Sequence, residues 1–239
     1  MKGLSFQNGI EYRIVIEGET WPQGEKLTGR LEAKSPTKLF VALAEARDKK
    51  VKDKDAKAFK IIEPLNAEAS PLDWNFQLPL NARISDNTGS LYIVYGADHT
   101  PEKLAHLRLN IQPHLLLRDT IDLFTHHYRF ALKNTVAGKD QWVEFKLDPP
   151  DSKDWNFLEQ LILQLQLNED TIDANFIFYR KEVDAMKAGL STKITKREIE
   201  QSWNRKLIVH DFNQRLNKDQ VALMVDAAFT EYRQAGWLS

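Results

Sequence analysis

The sequence predicts a mainly β protein of two tandem β-sandwiches, with a short helix between them and an amphipathic helix at the C-terminal end. Three observations carry this expectation. Tyr12, Ile14 and Ile16, and again Leu27, Gly29, Leu31 and Ala33, alternate on either side of a connection containing Pro22 and Gly24, as two strands with one buried face require. Leu161, Leu163, Leu165 and Leu167 share one face of a longer strand and Gln164 and Gln166 the other, and Asn168-Glu169-Asp170 turns the chain back. Near Pro113 the apolar spacing changes from a period of two to that of a helix, which places the domains at 1–112 and 113–239, joined near Ala105 to Pro113.

Composition limits the functions open to the chain. Hydrophobic residues make up 42% and charged residues 28% of 239, with a mean hydropathy of −0.48, which fits buried cores and neither a disordered chain nor a membrane span. The formal net charge is −1 and both halves about Gln112 are close to neutral, so no basic half exists to neutralise phosphates and nucleic-acid binding is disfavoured. The absence of cysteine excludes disulfides, thiolate metal sites and a Cys nucleophile. Residues 1–6 lack the apolar run of a signal peptide, so the expected location is cytoplasmic.

Taken in order, residues 38–46 follow the opening strand pair and read as a strand, although their Ala and Glu content also suits a short helix. The mixed-charge run Arg47 to Lys57 reads as a solvated hairpin tip. Phe59, Ile61 and Leu65 resume the sheet, with Pro64 and Pro71 as interruptions. Trp74, Phe76 and Leu78 alternate up to Pro79, Asp86-Asn87-Thr88-Gly89 is a turn, and residues 91–95 are a nearly continuous apolar strand.

Beyond residues 99–101, Leu104, His106 or Leu107, Leu109 and Ile111 leave the first domain as a strand, and Leu117, Ile121, Phe124 and Tyr128 fall at helical spacing after Pro113. Residues 142–147 and the two long strands 158–167 and 171–183 follow. Ile194, Ile199, Trp203, Leu207 and Val209 suggest further strands or a strand and a helix. At the end, Asn217 caps a helix with Val221, Met224, Val225, Ala228, Phe229 and Tyr232 in one stripe and Gly236 as its stop. Its polar face carries Asp219, Asp226 and Glu231, so the stripe is expected to dock on the protein's own sheet rather than on anionic lipid.

The order Trp21-Pro22-Gln23-Gly24-Glu25, Leu27, Gly29, Leu31, then Trp74-Asn75-Phe76-Gln77-Leu78-Pro79 and an aromatic strand ending Val94-Tyr95-Gly96-Ala97 resembles the N-terminal domain of arrestin-like proteins. That family places proline directly before the turn glycine, whereas Pro22 stands two residues ahead of Gly24. Gly24 suits a positive φ, and Gly29 lets a neighbouring backbone or ring pack close. The second half, with its short helix, the strand Phe130-Ala131-Leu132, the loop at Pro149-Pro150 and a long hairpin ending in Arg180-Lys181, is similar to the bacterial arrestin-like proteins of sporulation control. The resemblance covers about residues 10 to 184. It implies a non-enzymatic adaptor or scaffold that binds protein partners in a bacterial regulatory pathway.

The residues themselves show no catalytic, cofactor or metal site. His126 and His127 are adjacent, so they point to different sides of a helix, and neither has ligand spacing; the expectation is a protein without metal or cofactor. No phosphate-binding, dinucleotide-binding or hydrolase motif occurs. An enzyme with a site assembled from distant loops, or a structural or assembly protein, are the alternatives. Protein partners are expected to bind through exposed strand edges, and Lys49, Lys50, Lys52 and Lys54 to tune the rate of encounter only modestly.

Overall fold

The computed structural model describes residues 1–35, 37–55, 57–97, 104–184, 191–210 and 212–235. The chain divides into two compact units, Met1–Pro113 and His114–Ser239. The arrangement is mainly β and antiparallel, as the alternation requires.

The first unit runs β1 (Lys2–Gln7), β2 (Ile10–Ile16), β3 (Trp21–Pro22), β4 (Lys26–Ala33), β5 (Leu39–Arg47), α1 (Asp48–Lys52), β6 (Phe59–Ala67), β7 (Leu72–Gln77), β8 (Gly89–Gly96), β9 (Ala105–Arg108) and β10 (Ile111–Gln112). One sheet has the order β1-β2-β4-β7 and the other β6-β5-β8-β9. Tyr12, Ile14 and Ile16 of β2, Leu27 and Leu31 of β4 and Phe76 of β7 bury one face of the first sheet. They join Leu39, Val41, Leu43, Leu91, Ile93 and Tyr95 of the second in one core. β5 is buried on both faces, because Phe40, Ala42 and Ala44 form a second, smaller cluster with Tyr92 and Val94.

The connection between β2 and β4 is longer than a tight turn. It holds β3, which pairs in parallel with β10, so the last strand of the unit is tied to its first crossover. Residues 105–112, expected to form the joint between domains, are therefore part of the first unit's pairing. Pro64 lies inside β6 rather than ending it, which an edge strand tolerates because one side of its ladder is unpaired. The expected boundary near residues 99–101 lies outside the described residues.

Gly24 and Gly29 carry backbone requirements. Gly24 takes φ +81°. A Cβ on Gly29 would stand 2.3 Å from Trp74 Cζ2 and 2.6 Å from the Val15 carbonyl oxygen, and the latter, being backbone, cannot rotate away. Gly29→Val is expected to cost about 1–3 kcal/mol by overpacking, measured by denaturant titration. A loss below about 0.5 kcal/mol would show that Trp74 relaxes freely.

The second unit runs α2 (Leu115–His126), β11 (Ala131–Ala137), β12 (Val143–Asp148), β13 (Leu158–Leu167), β14 (Thr171–Asp184), β15 (Ser191–Asn204), α3 (Arg205–Ile208) and α4 (Lys218–Ala235). Its five strands form one antiparallel sheet in sequence order. Leu161, Leu163, Leu165 and Leu167 are buried on one face, with Phe145, Phe176, Phe178 and Trp203. The layer that covers them is helical: Phe124 of α2 and Val221, Val225, Ala228 and Phe229 of α4 are buried, and Phe229 meets the rings of Phe176 and Phe178, so the α4 stripe docks on the protein's own sheet as expected, while among the described residues no second sheet faces it. An apolar sheet face needs an apolar cover, and either kind of element supplies one.

α4 is capped as expected, with Asn217 Oδ1 accepting from the Gln220 amide at 3.3 Å; its expected stop at Gly236 lies outside the described residues. Asp119, buried on α2, accepts from Arg215 Nε at 2.7 Å and Nη2 at 2.6 Å, a bidentate pair that ties the segment before α4 to α2.

α2 begins with His114, whose Nδ1 accepts from the Leu116 amide at 3.1 Å and must be unprotonated to do so. Burial, and after it the charges of Arg205 and Arg118, hold this imidazole down at about 4 from an ordinary 6.5. The unfolded chain takes up the proton at the higher pH. The stabilisation is thus complete above about pH 6.5 and is lost as pH falls through about 4. Thermal melts between pH 7 and pH 4 are expected to show a falling midpoint, with a shallower fall for His114→Asn, which caps without titrating. Identical slopes would remove His114 as a cause.

Candidate partner-binding edge

Among the described residues, six strands end the three larger sheets: β1 and β7, β6 and β9, β11 and β15. A free edge carries unpaired N–H and C=O groups that another chain can complete, so the features that obstruct pairing decide which edge is usable.

Five of the six are obstructed. β6 contains Pro64, and its pairing with β5 shifts register between Leu43 and Ala44 of that strand, although Ile61 and Ile62 are exposed. β9 has four residues, and Arg108 is held by Asp48 at 3.2 Å. β7 exposes Asp73, Asn75 and Gln77. β11 shifts register between Leu132 and Asn134, and Lys133 pairs with Asp148 at 2.9 Å. β15 exposes Lys193, Lys196, Glu198 and Glu200, the gatekeeping charges of an edge protected from pairing.

β1 has no proline and no register shift, and its one charged residue is Lys2 at its start. Its six residues pair with β2 in unbroken register from Lys2↔Val15 to Gln7↔Ile10. The hairpin closes through Asn8 at φ 50° and Gly9 at φ 80°, both positive as a two-residue type I′ turn requires. The Ile16 amide donates to the Met1 carbonyl at 2.9 Å, which fixes the alternation: Gly3, Ser5 and Gln7 exchange hydrogen bonds with β2, and the N–H and C=O of Lys2, Leu4 and Phe6 point away from it.

The side chains of the same three residues lie on the outer face, where Leu4 is 57% and Phe6 68% exposed, beside Val15 on β2. The inner face pins the strand. Gln7 Nε2 donates to the Tyr95 carbonyl at 3.2 Å, and a Cβ on Gly3 would meet Leu107 at 2.9 Å. β1 is thus a fixed ladder with its free hydrogen-bonding groups and an apolar stripe presented together.

The sequence reading named no binding residue, and it assigned no element to residues 2–7. The signal that could have found them is Asn8-Gly9, a strong hairpin dipeptide, between alternating residues. The charged run at 47–57 is indeed the tip between β5 and β6, but Asp48 is committed to structure. It accepts from Tyr92 Oη at 2.6 Å, and burial together with this carboxylate pushes the Tyr92 phenol up to about 12. His126 and His127 end α2, both exposed, with His126 Nδ1 2.9 Å from the Asp122 carbonyl oxygen. Of the basic pair, Lys181 reaches Glu159 and Arg180 lies over the Phe157 ring. Among the described residues, no group of three or more His, Asp or Glu side chains is placed to hold a metal ion, and no helix is long and apolar enough to cross a membrane.

No protein family and no curated protein matches the chain by sequence. Among solved structures it is similar to Spo0M, a sporulation control protein from Bacillus subtilis, with a TM-score of 0.52 and 15% identity over 80% of this chain and 90% of that one. Two antiparallel sheets facing each other in the first unit, a five-stranded sheet in the second, and this likeness over most of both chains agree. The chain has the arrestin-like fold.

Proposed function

We propose that this protein is a non-enzymatic adaptor that takes an extended segment of a partner protein onto the free edge of β1, and that it acts in a bacterial, cytoplasmic regulatory pathway akin to sporulation control. The observation that carries the proposal is the coincidence, at Lys2, Leu4 and Phe6, of outward main-chain groups with an exposed apolar stripe. Main-chain pairing supplies affinity without a special residue type, and alternate side chains supply specificity. This accounts for a sequence in which no binding motif is visible. In the same reading, 1–112 and 113–239 are tandem arrestin-like domains, and the partner is neither nucleic acid nor membrane.

Hydrogen exchange tests it. On adding a partner isolated from the native organism, the amides of Lys2, Leu4 and Phe6 are expected to become protected while those of β15 do not change. Protection confined to β15, to β6 or to the 47–57 loop would overturn the assignment of the edge.

A further inference from the structure

The second unit contains an open pocket of about 430 Å³ where the segment before β13, the end of β14 and the last turns of α4 meet. Its walls are Phe157, Leu158 and Tyr232, and its charges come from Lys153, Arg180 and Arg233 against one carboxylate, Asp154. Three cations and one anion leave a positive excess within a space of ordinary ligand size.

Among the described residues, Lys153, Arg180 and Arg233 form no ion pair, whereas the adjacent Lys181 is paired with Glu159. The Arg180 guanidinium stands 5.4 Å from the centre of the Phe157 ring, and its Nε is buried with no acceptor. The residue lines the pocket. Arg233 gives Nε to the Phe229 carbonyl at 3.2 Å and stands 5.6 Å from the Trp155 ring. Stacking of this kind fixes a guanidinium plane without satisfying its terminal donors.

The walls are equally definite. Tyr232 is stacked on Phe178 with centroids 4.2 Å apart, while Phe157 is 59% exposed, a large ring held at the pocket with little protein over it. Planar donors beside an exposed ring match a planar anion carried on a flat apolar body.

We propose that this pocket binds a small organic anion, a carboxylate head on an aromatic or similarly flat apolar body, with Arg180 and Arg233 on the head and Phe157 and Tyr232 on the body. The site is independent of the β1 edge, so the fate of either leaves the other standing.

The test is a ligand-observed NMR titration of the full chain with phenylacetate and with phenylacetamide, its neutral isostere, at low ionic strength. Phenylacetate is expected to bind with a Kd of about 1 mM or tighter and phenylacetamide about tenfold more weakly. Arg180→Met is expected to weaken phenylacetate about tenfold, and Lys181→Met by less than about twofold. Circular dichroism establishes that each variant is folded; should Arg180→Met fail to fold, Arg233→Met takes its place with the same expectation. An acetylated dipeptide ending in phenylalanine, as free acid and as amide, separates the two sources of such an anion. Tighter binding of the peptide acid assigns the head to a chain terminus, and tighter binding of phenylacetate assigns it to a free small acid. Equal binding of acid and amide, failure of phenylacetate and the peptide acid to bind, or full binding to a folded Arg180→Met variant overturns the proposal.

Discussion

Leu4→Pro is expected to weaken partner binding by about tenfold or more while leaving the fold of the first unit in place. The reason lies in the ladder's alternation. The Leu4 amide faces away from β2, so a proline ring there removes no bond to β2 and obstructs only the side an added strand would occupy. Gly3→Pro is the matched control, because Gly3 exchanges hydrogen bonds with Ile14 and its loss should unfold the hairpin. Changing Lys49, Lys50, Lys52 and Lys54 together to Ser should alter affinity by less than about tenfold, since these charges are exposed and one of them, Lys50, already faces Asp55 at 3.8 Å. Titration of the partner against the three variants, with melting curves beside it, decides the matter. If the lysine variant loses more affinity than Leu4→Pro, the charged loop and not the sheet makes the contact.

Phe229→Ala should cost the second unit about 3–5 kcal/mol. Phe229 is 1% exposed, and its ring lies within 4.7–6.4 Å, centre to centre, of Trp155, Tyr128, Phe130, Phe124, Phe178 and Phe176. These rings belong to α2, to β14 and to the segments that follow α2 and precede β13. One truncation therefore empties the point where the helical layer meets the sheet, and neighbours held from so many directions cannot all collapse into the cavity. Leu223, on the same helix and 64% exposed, should tolerate alanine within about 0.5 kcal/mol. Urea titration of both variants is the measurement. A loss near 1 kcal/mol for Phe229→Ala would mean that α4 is loosely docked and free to leave the sheet.

Much of the fold was legible because strands with one dry face write their own pattern. Leu161 to Leu167 and Tyr12 to Ile16 are buried on the alternation their spacing announced, and Gly29 sits under Trp74 as a glycine in a strand suggests. β1 escaped notice for the opposite reason. Its apolar residues, Leu4 and Phe6, face water, and its inner face is made of Gly3, Ser5 and Gln7, so the periodicity is inverted and reads as nothing. The same inversion is what makes the strand a candidate binding edge.

What the sequence by itself determined is the mainly β class, the change of pattern at Pro113, the cap and stripe of α4, and the lack of any sequence motif for catalysis. Each follows from local spacing or composition, which neighbours along the chain suffice to define. Only the tertiary structure decided which strands lie at sheet edges, that helices and not a second sheet complete the cover of the second unit's sheet, and that Arg180 meets Arg233 and Phe157 at one pocket. Those outcomes depend on pairings between residues as far apart as Lys153 and Arg233, and no local pattern encodes a contact whose two halves are written in different elements.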